Sequence, residues 1–541
     1  MKLRGLFIAV ALAALAVGRP SYADDTSITE TAKVGDASHF SIPKRWSLER
    51  FQDQVKIISP EKDLSIIFIE FPNRSKFQDV VADAWKLVEP GFDLKTLQEF
   101  SPPASEGWEE VHQIVYQTPA KESRTVMAAI HIFRNRAYVN LIDGSNAAAS
   151  RRGAQINEAV NSWKPDGMKE DKLTERIAKK WGANETQRFE GFMLSAMKSL
   201  QVPGAAVAIV QGGEVVYSKG FGVRGLGSSE PVTPKTLFMI GSMTKPLTTL
   251  LMARLVEQKK MAWSTPVSQL LKGFQLGDPE VTKKLEMRHT ACACTGMPRR
   301  DMEFIFKYKG ISPEQRLQQM SDMKPTTGFG ETFQYSNSLV MIGGYAAARA
   351  FDQTGSLEQA YEKSMQTLVL DPLNMKDTTF SFEVALQKEA ARPHGMDFDG
   401  NVQEIPLNLE RSIYSVAPAG AAWSNVIDLA KYVSLESKRG IGSDGTRVIG
   451  EDALLYRRQK GVKIDDKSYY GLGLFLIDEQ GLNIIGHGGN TLGFSSGMRF
   501  LPDKDVGVVI LTNMAGANSF LSAVRQEIQE IEFGAAPRAD R

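Results

Sequence analysis

The chain has 541 residues, of which 42% are apolar and 23% charged, with a formal net charge of +1. That length exceeds what a single hydrophobic core usually serves and points to about two to four domains. The balanced charge, with no dense basic patch interleaved with aromatics, argues against nucleic-acid binding.

The first segment, "MKLRGLFIAVALAALAVGRPSYA", carries Lys2 and Arg4, an apolar run from Leu6 to Val17, and small Ser21 and Ala23 before Asp24. This is the pattern of a signal peptide with its cleavage site. The run is shorter than the roughly twenty apolar residues a membrane span needs. Residues 1–23 are therefore expected to be removed on export, giving a periplasmic or secreted bacterial protein with no integral span.

Residues 24–165 read as a small α+β domain. Strand-like "VKIISP" and "LSIIFIEFP" precede helical "FQDVVADAWKLV"; "EVHQIVYQT", "TVMAAIHIF" and "AYVNLIDG" return to strand, and "GAQINEAVNSW" closes as helix. The domain holds no catalytic-type cluster, and its role stays open. A charged linker and helix lead-in follow over 166–182, where "TERIAKKWGANETQRFEGFMLSAMKSL" reads as amphipathic helix from Thr174 onward.

The remainder, 183–541, has strands at both ends and some two hundred mostly helical residues between them. "PGAAVAIVQ" and "EVVYSKGFG" join at Gly212-Gly213, a hairpin signal; "LNIIGH", "SGMRFLP" and "VGVVILTN" come late, before a final helix "FLSAVRQEIQEIEF". One antiparallel sheet built from both ends, flanked by helices and holding a helical insertion, is the simplest α+β architecture. The only cysteines, Cys292 and Cys294, are one residue apart. So small a ring departs from preferred disulfide geometry, and only His289 lies near enough to help hold a metal. Two small buried apolar residues are expected.

Ser-x-x-Lys occurs at Ser41, Ser59, Ser195, Ser242 and Ser321. Only Ser242 and Lys245, in "FMIGSMTKPLTTLL", lie between a strand-like run and a convincing helix. Pro246 is tolerated only in a first helical turn, which sets the helix start near Ser242 or Met243 and a broad apolar face beyond it. The hydroxyl then sits at a helix N-terminus, where free N–H groups favour developing negative charge. Lys245 is one turn on, and burial would lower its pKa enough to make it a base. In "FQYSNSLVMIGGY", Tyr335 and Asn337 point the same way just before a helix, although Ser336 or Asn337 could simply cap it. In "IIGHGGNTLGFSSG", glycines after His487 strip a strand end so that another backbone can approach. Gly-x-Ser-x-Gly at 493–497 precedes a strand rather than a helix, which discounts Ser495 as a nucleophile.

Ser-x-x-Lys opening a helix, Tyr-x-Asn about ninety residues on, then His-x-Gly on a late strand: this order resembles the serine penicillin-recognising superfamily. The likeness is greatest to its class C β-lactamase, D,D-peptidase and esterase branch, over about Thr174 to Phe533. The resemblance implies a β-lactamase/transpeptidase-like fold with no cofactor. Ser242 would be acylated, with Lys245 and Tyr335 sharing the proton work. Asn337 would hold the substrate carbonyl, His487, Gly488 and Gly489 would line the cleft, and the N–H groups of Ser242 and Asn490 would hold the oxyanion. Two departures stand out. Ala293-Cys294-Thr295-Gly296 replaces His-Thr-Ser-Gly, and His487-Gly488-Gly489 stands where the β-lactamases of this branch have Lys-Thr-Gly. A neutral imidazole attracts a substrate carboxylate weakly at pH 7. The expected function is thus an exported serine hydrolase of small-molecule or peptide esters or amides, of esterase, D-amino-acid peptidase or weak β-lactamase type. The alternative is a silent module that grips peptidoglycan peptides or a protein partner.

Overall fold

The computed structural model describes residues 30–534 except 36, 53, 73–75, 102–106, 170–171 and 398–399, and the expected leader at 1–23 lies outside them. The N-terminal unit is a small sheet domain. Its seven antiparallel strands are β1 (Ser47–Arg50), β2 (Gln54–Ile58), β3 (Leu64–Phe71), β4 (Thr96–Phe100), β5 (Glu110–Tyr116), β6 (Arg124–Phe133) and β7 (Arg136–Ser145). They lie in the order β1-β2-β3-β7-β6-β5-β4. Helix α1 (Phe77–Val88) buries Val80, Val81, Ala84 and Trp85, one stripe at helical spacing, on one face. Helix α2 (Asn146–Ser162) covers the other, starting seven residues earlier than its sequence suggested because the Ser145 hydroxyl accepts from Ala148 N at 3.0 Å and caps it there.

The expected helix from Thr174 begins only at α3 (Ala183–Ser199). Before it, the backbone N–H groups of Leu173 and Lys179 donate to the carbonyls of Gln480 and Glu532, which holds that stretch against the main sheet. The main sheet has eight antiparallel strands from both chain ends. They are β8 (Gly204–Gln211), β9 (Glu214–Gly222), β10 (Val462–Lys463), β11 (Ser468–Tyr470), β12 (Phe475–Glu479), β13 (Leu482–Asn490), β14 (Ser495–Leu501) and β15 (Val506–Thr512). Their order is β9-β8-β15-β14-β13-β12-β11-β10. Ala205, Val207 and Ile209 of β8 face one core and Ala206, Ala208 and Val210 the other, so this central strand reads as continuously apolar.

The inserted helices include α4 (Thr244–Glu257), α5 (Asn337–Phe351) and α6 (Val426–Ser437), and α7 (Asn518–Phe533) ends the described chain. Among the described residues no helix is long and apolar enough to cross a membrane. Helix α4 differs from the one-faced helix its sequence suggested: Thr244 through Ala253 are all buried. Its threonines are accommodated by hydrogen bonds to carbonyls, such as Thr244 Oγ1 to Gly241 O and Thr248 Oγ1 to Pro418 O, both at 2.7 Å. The two domains are tied by ion pairs. Lys463 Nζ lies 2.9 Å from Glu158 Oε1, and Arg45 and Arg152 each place a guanidinium nitrogen 3.1 Å from Glu331 Oε1.

A buried polar network seats α4. Arg457, with no exposed side-chain surface, donates to Pro246 O at 3.0 Å and pairs with Glu436, which also accepts from Tyr432 at 2.5 Å and pairs with Arg458. Removing the carboxylate strands two guanidinium groups in a dry interior. Glu436→Ala is therefore expected to lower unfolding free energy by about 3–5 kcal/mol, as read by urea denaturation.

Candidate active site

Chain geometry places Ser242 at the junction expected for it. A single 3₁₀ turn, Gly241–Met243, leads into α4, with Pro246 in the first helical turn. Gly241 has φ +53°, and a Cβ there would stand 2.8 Å from Asn490 N. Across the gap, a Cβ on Gly489 would stand 2.1 Å from Ile240 O and 2.9 Å from Ser242 N. Both positions need glycine because two backbone segments, 240–242 and 489–490, touch directly.

That contact aligns two N–H groups. On β13 the ladder to β12 ends at Gly486, while the ladder to β14 runs on to Asn490 opposite Ser495. Thr491 N–H bonds Phe494 O, so by antiparallel alternation the Asn490 N–H points off that ladder, toward Ser242. It and the Ser242 N–H at the helix start form a two-donor pair suited to an oxyanion.

Lys245 has no exposed surface. Its ammonium donates to Ser242 Oγ at 2.8 Å and to Ala419 O at 2.6 Å. Burial holds its pKa well below the ordinary lysine value; Asp301 partly opposes that and the Arg299 charge adds to it. Tyr335 hydrogen-bonds Ser242, and burial pushes its phenol well above the ordinary value. Lys245 Nζ lies 4.8 Å from the centre of the Tyr335 ring. Serine, amine and phenol thus meet at one point, with Ser242 only partly buried and so reachable.

The remaining expected residues are placed differently. The Asn337 Nδ2 donates to Asp301 Oδ1 at 2.9 Å, and its Oδ1 has no protein partner. Neither Ser336 nor Asn337 caps α5 with its side chain. The His487 ring is buried beneath the cleft rather than exposed in it. Its Nδ1 donates to Gly488 O at 2.5 Å, leaving Nε2 to accept from the Tyr470 hydroxyl at 2.9 Å. Burial, then repulsion from Lys245, lowers its pKa to about 3, so the imidazole is neutral at physiological pH.

Sequence reasoning missed several contributors. Asp301 links Asn337 to Arg299, whose guanidinium also lies 5.4 Å from the Tyr335 ring centre. "CTGMPRRD" held both residues, but nothing local says which side chain an aspartate 36 positions away will grip. Glu410, buried, accepts from Thr491 at 3.1 Å and braces the turn after Asn490. The expectation of two separate cysteines is corrected: Cys292 and Cys294 are disulfide-bonded, with Cα atoms 5.1 Å apart. Ala293 adopts φ +52°, a left-handed conformation that folds the chain back and brings the Cα atoms within disulfide range. Its carbonyl accepts from Gln334 N at 2.8 Å, and the Cys294 carbonyl from Gly330 N at 2.6 Å, holding the loop that delivers Tyr335.

An antiparallel sheet whose strands lie on both sides of a helical insertion, and a reachable serine paired with a fully buried lysine at its edge, define a protein of the serine β-lactamase and penicillin-binding superfamily. The chain belongs to the β-lactamase family, whose model matches residues 189–532. It is 27% identical over 348 residues to the unguisins hydrolase ungD' of Aspergillus campestris, covering 62% of each chain. It is 26% identical over 230 residues to the teichoic acid D-alanine hydrolase of Staphylococcus aureus, covering 42% of this chain and 53% of that one. The chain thus spans little more than half the length of these curated relatives. The octameric penicillin-binding protein homologue from Pyrococcus abyssi matches in structure with a TM-score of 0.55 and 25% identity, over 63% of this chain and 76% of that one.

Gly489→Ala tests the backbone contact. The added methyl drives β13 from Ile240 and displaces the Asn490 donor, so covalent labelling of Ser242 is expected to slow on the order of 10²-fold. Labelling rates with a fluorophosphonate, beside circular dichroism of the variant, check this.

Proposed function

We propose that this chain is an exported serine hydrolase that works through an acyl-enzyme on an ester or a D-amino-acid amide. The observation that carries the reading is the 2.8 Å bond between Ser242 Oγ and a fully buried Lys245 amine whose other hydrogen-bond partner among the described residues is the carbonyl of Ala419. Desolvation favours the free amine, which can take the serine proton as Oγ attacks the substrate carbonyl carbon. The carbonyl oxygen becomes an oxyanion held by the N–H groups of Ser242 and Asn490. The proton then passes through the Tyr335 hydroxyl to the leaving oxygen or nitrogen as its bond to carbon breaks. Water repeats the sequence on the acyl-enzyme, its proton returning to Ser242. Asn337, anchored by Asp301 through one N–H, keeps the other for a substrate carbonyl.

Substrate class follows from charge. The neutral His487 places no cation where a β-lactam carboxylate would be drawn. This favours esters and D-amino-acid peptides over efficient β-lactam turnover, and the names of the two hydrolase relatives favour hydrolysis over binding alone.

Intact-mass analysis after incubation with fluorophosphonate, nitrocefin, 4-nitrophenyl esters and D-alanyl peptides should show one adduct on wild type and none on Ser242→Ala. An adduct that persists on the variant would remove Ser242 as the nucleophile. The pH profile gives a second check. Only the uncharged amine accepts a proton, so kcat/KM for a neutral ester should rise with pH along a limb set below the usual lysine range. His487, with a pKa of about 3, should contribute nothing between pH 5 and 8, and His487→Asn should keep that limb. A limb near pH 6.5 that vanishes in His487→Asn would reassign the base.

A further inference from the structure

Cys292 and Cys294 stand in a short segment that touches both sides of the catalytic centre. Just before the disulfide, the Ala291 carbonyl accepts from Gly473 N at 3.0 Å. Gly473 is packed against α4 so closely that a Cβ there would stand 3.2 Å from Lys245 O. On the other side, the carbonyls of Ala293, Cys294 and Gly296 accept from the N–H groups of Gln334, Gly330 and Thr326 at 2.8, 2.6 and 2.8 Å. The Ser336 hydroxyl donates to Pro298 O at 3.3 Å. The chain on either side of Tyr335 is therefore laid along 293–298, bond by bond.

The shape of that support is one its residues would not choose. In extended chain, neighbouring carbonyls point to opposite sides; here those of Ala293 and Cys294 serve the same loop. The left-handed φ of +52° at Ala293 makes this possible, and alanine disfavours it because its Cβ crowds the following carbonyl. The ring closed by the two sulfurs holds the alanine there. Both sulfurs are buried, so the bridge shapes the backbone and presents no reactive surface. With two thiols in its place, Ala293 is free to return to an ordinary conformation, turning its carbonyl from Gln334, the residue directly before Tyr335. The phenol leaves little room for such a shift, because it must hydrogen-bond Ser242 with its ring centre 4.8 Å from Lys245 Nζ.

We propose that Cys292 and Cys294 are positioning residues for the Tyr335 phenol, so that proton delivery to the leaving group depends on their disulfide. The catalytic effect rests on the hydrolase reading above; the clamp on the loop does not. A dithiol would open it by passing two electrons and two protons to the pair, giving two thiols and becoming a disulfide itself. The leaving group separates this role from general support of the fold, since 4-nitrophenolate departs without a proton and an alkoxide needs one. Cys292→Ala/Cys294→Ala should cut kcat/KM for ethyl acetate relative to 4-nitrophenyl acetate by about tenfold or more. Tyr335→Phe should show the same selective loss, and adding the cysteine changes to it should cost nothing further. If circular dichroism shows the double variant unfolded, wild type reduced with dithiothreitol, its two thiols counted by mass after iodoacetamide, should show that loss and regain the ratio on reoxidation. Equal losses on both esters, or a tenfold cost that persists beside Tyr335→Phe, overturn the proposal. Amide hydrogen exchange needs no turnover: opening the bridge should speed exchange at Gly330 and Gln334 at least tenfold, and unchanged exchange overturns the clamp. If wild type hydrolyses neither ester while that exchange quickens, the hydrolase reading fails and the clamp stands.

Discussion

Everything at this site depends on keeping one amine dry. Lys245 sits in a helix buried on all sides, with a hydroxyl and a carbonyl as its hydrogen-bond partners. A carboxylate there would hold the proton on nitrogen, against the base role proposed for it. The carbonyl of Ala419 orients the amine while adding no full charge, and low dielectric does the rest. The helical insertion and the Arg457 network beneath Pro246 make sense as means of excluding water from that one group.

The second constraint is topological. Ser242 arrives from the N-terminal side of the insertion and the Asn490 N–H beside it from the far side, more than two hundred residues on. Two glycines let these segments meet backbone to backbone, and β13 breaks its pairing with β12 at Gly486, just before that meeting point. A free sheet edge, elsewhere a liability, is under the proposed function a place for an extended substrate to pair.

How much was legible in the sequence follows from how local each feature is. Ser242 and Lys245 were readable because one helical turn joins them and Pro246 fixes where that turn begins. The sheet was readable because strands buried on both faces are continuously apolar. Asp301 and Ala419 were not, since their roles exist only once distant segments meet. His487 could be placed on its strand, but its burial is decided by Tyr470 across the sheet. The disulfide was hidden because an alanine, not a glycine, takes the left-handed conformation between the cysteines.

The joint between the domains has a consequence of its own. Glu331, gripped by Arg45 and Arg152 of the first domain, lies four residues before Tyr335. The leading domain is therefore not cargo on a tether but a stay fixed to the arm that carries the phenol. A tilt in its seating would be felt at Tyr335 through only four residues of backbone, which makes the leading domain part of what sets the position of that phenol.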